Sequence, residues 1–276
     1  MLAARRTARA AAAALFVCGA TGIHATNDSA ACGAGAGEPV TVAGVDDAYD
    51  ILLGDGRIVT LPGVAFDRNA AAPNAVATWL SQFEIRLQPL DATTDRWGRT
   101  PACLSLDRPG KESGRADAAE SGLEQGFGLY RPDAGAHARR ASLLAAETRA
   151  REARRGLWAN APAGILDAAD ARALARATGY TIVEGRIASV GRAGGRIYLN
   201  FGKRRGVDLS IVLSSRNISQ FEAQSVEPDR LVGHRIRVRG LVDRGSGQSI
   251  EIVSPDAFEI LDAREQENPP IESGER

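Results

Sequence analysis

Asp55-Gly56-Arg57-Ile58-Val59-Thr60-Leu61-Pro62-Gly63-Val64-Ala65-Phe66-Asp67-Arg68 is the stretch on which the fold turns. Asp-Gly is a tight-turn pair, because glycine reaches left-handed backbone angles without a steric penalty. Behind it Ile58, Thr60 and Pro62 alternate with Val59, Leu61 and Gly63, the two-residue period of a short strand. Upstream, Val40, Val42 and Val45 are also strand-like. They lead through Asp46-Asp47-Ala48-Tyr49-Asp50 into Ile51-Leu52-Leu53.

Downstream, Pro73 to Glu84 predicts a helix. Pro73 suits its first turn, and Val76, Trp79, Leu80 and Phe83 fall on one face at 3-4 spacing. Ile85, Leu87 and Leu90 begin another strand. The turn Asp95-Arg96-Trp97-Gly98-Arg99 follows, and then a strand face of Ala102, Leu104 and Leu106. After Leu123-Glu124-Gln125-Gly126-Phe127-Gly128-Leu129-Tyr130, a long amphipathic helix is predicted from Ser142 to Trp158. It carries Leu143, Leu144, Glu147 and Ala150 and closes on Gly156-Leu157-Trp158.

From Glu38 to Trp158 these motifs, in this order, resemble the staphylococcal nuclease (thermonuclease) family. Its central hairpin reads D-G-x-x-V-R-L-x-G-I-D-x-P-E, and D-x-Y-G-R and a closing L-x-x-A-E-x-x-A-(basic)-G-L-W occur elsewhere in it. The resemblance implies an OB barrel with packed helices. It also implies calcium-dependent phosphodiester hydrolysis by two aspartates, a glutamate and two arginines. At the matching positions this chain has Tyr49 and Ala65 for the aspartates, Arg68 for the glutamate and Thr60 for one arginine. Only Arg99 keeps the family's chemistry. Calcium wants several hard oxygen ligands, and threonine cannot grip a phosphate as guanidinium does. The expected metal ligands are therefore none. Asp46, Asp47, Asp50 and Asp67 lie near the hairpin and leave a rearranged site conceivable.

Ala159 to Gly164, with its Ala-Pro-Ala-Gly run, predicts the start of a linker that reaches residue 178 and carries a short alanine-rich helix at Asp167 to Ala177. Strand alternation follows in 182–190, 196–201 and 207–213, a helix in 218–226, and strands in 235–242 and 249–260. This β-β-β-α-β-β order is that of an OB barrel, whose exposed strands hold oligonucleotides or oligosaccharides. Arg196, Tyr198 and Asn200 alternate with Ile197, Leu199 and Phe201. Likewise Arg235, Arg237 and Arg239 alternate with Ile236 and Val238. Arginines for phosphates and a ring for stacking are what single-strand binding needs, so these six residues form the predicted nucleic-acid-binding face. An ordinary wet side of a barrel has the same pattern.

Lys+Arg and Asp+Glu both count 34 in 276 residues, so bulk charge implies no polyanionic partner. Arg5, Arg6 and Arg9 precede the small apolar run Ala10 to Gly19, the order of a secretory signal. Cleavage after Ala20, Ala25 or Ala31 satisfies a small-residue rule, and Cys18 offers a less favoured lipoprotein anchor. Beyond the signal, Cys32 and Cys103 either pair or leave Cys103 as a buried thiol. His137 and His234 have no metal-ligand spacing, and no nucleophile elbow or phosphate loop occurs.

The expectation is an α+β, mainly β chain: signal 1–25, flexible leader 26–37, nuclease-like domain 38–158, linker 159–178, OB-like domain 179–262 and tail 263–276. It is expected to be secreted or periplasmic, with no transmembrane span once mature. It is read as catalytically inactive, without cofactor, and acting as a nucleic-acid-binding or structural module. The alternatives are a calcium-dependent nuclease with a rearranged site and a module that binds envelope protein or glycan.

Overall fold

The computed structural model describes residues 32, 37–108, 115–133, 135–159, 164–204, 207–224, 226–245 and 247–262. The predicted signal with Cys18, the leader except Cys32 and Gly37, and the 263–276 tail lie outside these residues. The described chain is α+β and mainly β, with sheets that mix parallel and antiparallel pairs.

The first half opens with β1 (Glu38–Val40) and β2 (Val42–Val45), separated only by Thr41. Next come β3 (Ile51–Leu53) and β4 (Ile58–Thr60). The Asp55-Gly56 turn forms as its chemistry dictates: Gly56 has φ +88°, and the Asp55 carboxylate accepts the Arg57 N–H at 3.0 Å. Then follow β5 (Val64–Phe66), α1 (Pro73–Leu80), β6 (Glu84–Pro89), β7 (Arg99–Asp107), β8 (Ala116–Asp117), α2 (Ala118–Glu124), β9 (Gly128–Tyr130) and α3 (Arg140–Glu152). The sheet runs β1-β6-β7-β4-β3-β2, with β8 on β7 and a separate β5-β9 pair. Among the described residues its one parallel pair is β4-β7, with Ile58 opposite Arg99.

The second half comprises β10 (Ile165–Asp167), α4 (Ala171–Arg176), β11 (Tyr180–Arg186), β12 (Ser189–Ala193), β13 (Arg196–Asn200) and β14 (Ser210–Ser214). It continues with α5 (Ile218–Glu222), β15 (Arg235–Asp243), β16 (Ser249–Ile252) and β17 (Phe258–Ile260). Here the path is β10-β11-β15-β16-β14-β13-β12, with β17 on β15. The two halves repeat one pairing pattern. In each, two chain neighbours (β1 and β2, β11 and β12) begin and end the run of six strands, and a parallel pair (β4-β7, β14-β16) lies inside it. In chain order a helix precedes the fifth strand of each run, α1 before β6 and α5 before β15.

Three predicted elements differ for local reasons. The helix expected from Ser142 to Trp158 stops at Glu152, because Arg154 and Gly156 both turn to φ +52°. Gly156 then meets Gly126 backbone to backbone, and the Leu157 N–H donates to the Gly126 carbonyl at 2.9 Å. The strand expected over 249–260 is broken at Ser254-Pro255, where the serine hydroxyl caps a short 3-10 turn. The segment expected as a linker contributes β10, which pairs in parallel with β11, and α4, whose Leu174 is fully buried.

Each half has its own apolar core, one including Val59, Leu80, Leu104 and Leu143, the other Leu199, Leu213, Phe221 and Ile236. A third cluster joins them: Leu129, Ala150 and Trp158 meet Ile182. Beside it, α3 lies against β15 and β17 through buried charge. Arg239 donates to Glu147 at 2.7 Å and to Glu259 at 3.0 Å, and Glu147 also accepts the Tyr130 N–H at 3.2 Å. Arg237 links Glu259 (3.5 Å) to Glu184 (2.6 Å), and Arg235 completes the chain at 2.8 Å from Glu184. Three guanidiniums thus meet three carboxylates. At the edge, Asp256 pairs with His137 at 2.5 Å and Arg140 at 3.6 Å.

Burial pushes the Glu259 carboxyl up, but Arg239 and Arg237 outweigh this and hold it below the ordinary glutamate range. Unfolded, it titrates near 4.3. Between the two values the native state binds fewer protons than the unfolded state. Its contribution is therefore present above about pH 4.3 and lost as pH falls through the folded pKa. Acid titration of stability should be steeper in the wild type than in Glu259→Gln, which should be the less stable at neutral pH. Superimposable pH profiles would refute this assignment.

Candidate functional site

The nuclease-like positions lie on or beside β3, β4, β5 and β7, and side-chain contacts link Tyr49 to Phe66, Arg68 to Asp47 and Arg99 to Asp50. The Asp46 carboxylate accepts the Ala48 and Asp50 N–H groups at 2.8 and 2.9 Å, which turns the chain and places Tyr49 at φ +66°. Such a conformation costs a non-glycine residue roughly 1–2 kcal/mol. Two contacts hold it: the Tyr49 hydroxyl donates to the Ala71 carbonyl at 2.7 Å, and the ring stacks on Phe66 at 5.0 Å. Burial raises the phenol's pKa, opposed by Arg68. Tyr49 is thus an anchored hydrogen-bond donor and offers no carboxylate.

The cations nearby are already matched. Arg68 donates twice to the Asp47 carboxylate at 3.1 Å and once to its carbonyl at 2.9 Å. Arg99 is held by Asp95 at 2.8 Å and by Asp50 at 3.3 Å, with its guanidinium 4.7 Å from the centre of the exposed Trp97 ring. Asp67 accepts the Asn69 N–H at 2.7 Å, a turn role. Thr60 pairs across to Pro101 and Ala65 to Leu129, neither offering a charge. Calcium does not fit this donor set: among the described residues no three of these carboxylates converge, and Asp47, Asp50 and Asp95 face arginines. Among the described residues, one group of three potential metal ligands exists: Cys32, Cys103 and Asp117. Its cysteines form a disulfide and present no thiolate.

A second surface is built differently. β12, β13, β14 and β16 lie side by side, and their register aligns one face in cross-strand rows. Gly191, Tyr198, Val212 and Glu251 form one row; Ser189, Asn200, Ser210 and Ser249 form the next. Arg196 stands opposite Ser214 in a third. Short side chains leave this face hollow, and a cleft of about 840 Å³ lies over it, within the range of small-ligand sites. Arg131 and Pro132 of the first half close one side, so the cleft needs both halves. Leu241 and Val253, each more than 60% exposed, line it as well. Arg196 and Glu251 are exposed, and among the described residues neither side chain has a partner.

The six residues of the predicted nucleic-acid face therefore separate. Arg196, Tyr198 and Asn200 line the cleft, and Arg239 reaches its wall from β15. Arg235, Arg237 and Arg239 share one face of β15, as their alternation predicts, but that face is not an open basic surface. Arg239 is 2% exposed, and all three are spent on Glu147, Glu184 and Glu259. One sequence signal pointed there. Leu143, Glu147 and Ala150 follow helical i, i+4, i+7 spacing, and a carboxylate within a buried stripe requires a charged partner.

The chain matches no protein-family model and no curated protein at a significant level, so the likeness to thermonucleases rests on its own motifs and their order.

Proposed function

We propose that the chain is a tandem of two OB-type barrels, the first of thermonuclease build without a hydrolytic constellation, and that it works as an exported binding module through the cleft of the second half. The repeated pairing order, with one parallel pair in each six-strand run, supports the two barrels. The disulfide Cys32–Cys103 and the basic-then-apolar N-terminus support export to an oxidising compartment. No helix among the described residues is long and apolar enough to cross a membrane.

The observation that carries the functional reading is a contrast. At the nuclease-like positions Arg68 and Arg99 each hold a carboxylate, whereas among the described residues Arg196, Tyr198 and Glu251 have no side-chain partner around an open cleft. Phosphodiester hydrolysis needs charge neutralisation and an activated water, and the first arrangement supplies neither. Single-stranded DNA and RNA incubated with the protein are expected to remain intact with calcium and with chelator alike. Calcium-dependent cleavage lost on changing Asp47 and Asp67 to asparagine would establish the rearranged-site nuclease instead.

A further inference from the structure

We infer that the cleft takes a neutral, hydroxyl-rich chain, an oligosaccharide, rather than a phosphodiester strand. This rests on the cleft being the binding surface. A phosphate-bearing ligand requires a run of uncommitted cations along its path. Here Arg192 is bound by Asp229 at 2.6 Å and Arg204 by Asp208 at 2.7 Å, while Arg239 lies sealed against Glu147. Among the described residues, what has no partner on the face is one guanidinium, Arg196, and one carboxylate, Glu251, while Arg131 on the cleft wall is paired with Asp133 at 3.8 Å. Glu251 shares a row with Tyr198, two strands away and so about 10 Å off. A phosphate beside the ring would meet one free cation, Arg196 two residues along β13, offset by the Glu251 carboxylate across the row.

The same groups suit a sugar chain. Tyr198 offers a flat apolar ring face, and Asn200, Ser210 and Ser249 line the next row with short hydroxyl and amide groups. Free carboxylate and guanidinium make the stronger, charge-assisted hydrogen bonds to neutral hydroxyls without needing a counter-charge on the ligand.

The test uses the full chain on an array of neutral and acidic oligosaccharides, with the best-retained neutral oligomer then titrated beside dT12 at low and moderate salt. Glu251→Gln decides by sign. On a neutral oligomer it should weaken binding about tenfold or more, the value of one charge-assisted hydrogen bond. Tyr198→Ala should weaken it further, with thermal unfolding of both variants unchanged. Binding of dT12 that falls steeply with salt and tightens in Glu251→Gln would overturn the inference while leaving the cleft as a binding surface. Retention of no neutral oligomer would also overturn it, and if dT12 failed to bind as well, the binding-module reading would fall too.

Discussion

Arg239→Met is expected to destabilise the chain by about 3–5 kcal/mol, the cost of leaving a buried charge without its partner. Methionine replaces much of the arginine's length, so the loss is electrostatic more than steric. Glu147 is 1% exposed and would keep only the Tyr130 N–H, while Glu259 would retain Arg237 at 3.5 Å. For a folded chain of this size the shift in Tm is roughly 10 °C. Glu147→Leu in the same background should restore part of the loss, because two apolar side chains replace a broken pair. The coupling in that double-mutant cycle, read by urea unfolding, measures the junction between α3 and β15. A single-mutant effect below about 1 kcal/mol would mean that Arg239 reaches water and the junction is not closed. Arg237→Ala should likewise lower stability, whereas Tyr198→Ala, on the cleft face, should not.

How far the sequence carried depends on the distance over which each feature is encoded. The turn at Asp55-Gly56, the alternation through Leu61 and the apolar face of α1 are local, and their residues specify them directly. Tyr198 and Arg196 are legible because a strand's two-residue period puts them on one face whatever the strand packs against. The same rule placed Arg235, Arg237 and Arg239 together, but alternation cannot say what covers a face. Their fate was decided by Glu147, which lies 92 residues from Arg239 in the chain, and by Glu259 on a strand that the sequence did not separate from β16. Tyr49 shows the converse. Its lack of a carboxylate was plain from sequence, while its anchoring on Ala71 and Phe66 required the fold. The early end of α3 arises from Gly126 meeting Gly156, a contact that no helical periodicity contains.

Cys32→Ser is expected to cost about 4 kcal/mol, because the bond it removes closes a loop with a sequence separation of 71 residues, and chain closure reduces the entropy of the unfolded state. The Cα atoms stand 5.5 Å apart, within the ordinary range for a disulfide. Cys32 is the better position to change. Cys103 is 1% exposed on β7, and a free thiol there remains a small apolar side chain, whereas serine would bury a hydroxyl. The bond fixes Cys32 onto β7, the strand at the centre of the first sheet. Among the described residues β1 is only three residues long and pairs with β6 alone, a short ladder for the tether to support. Thermal unfolding with and without reductant should bring the wild type down to the level of Cys32→Ser and leave the variant unmoved. Hydrogen exchange should quicken first at Glu38 and Val40. A wild type that alkylates at Cys103 without reductant, or a variant within about 1 kcal/mol of it, would show that the pair does not constrain the chain.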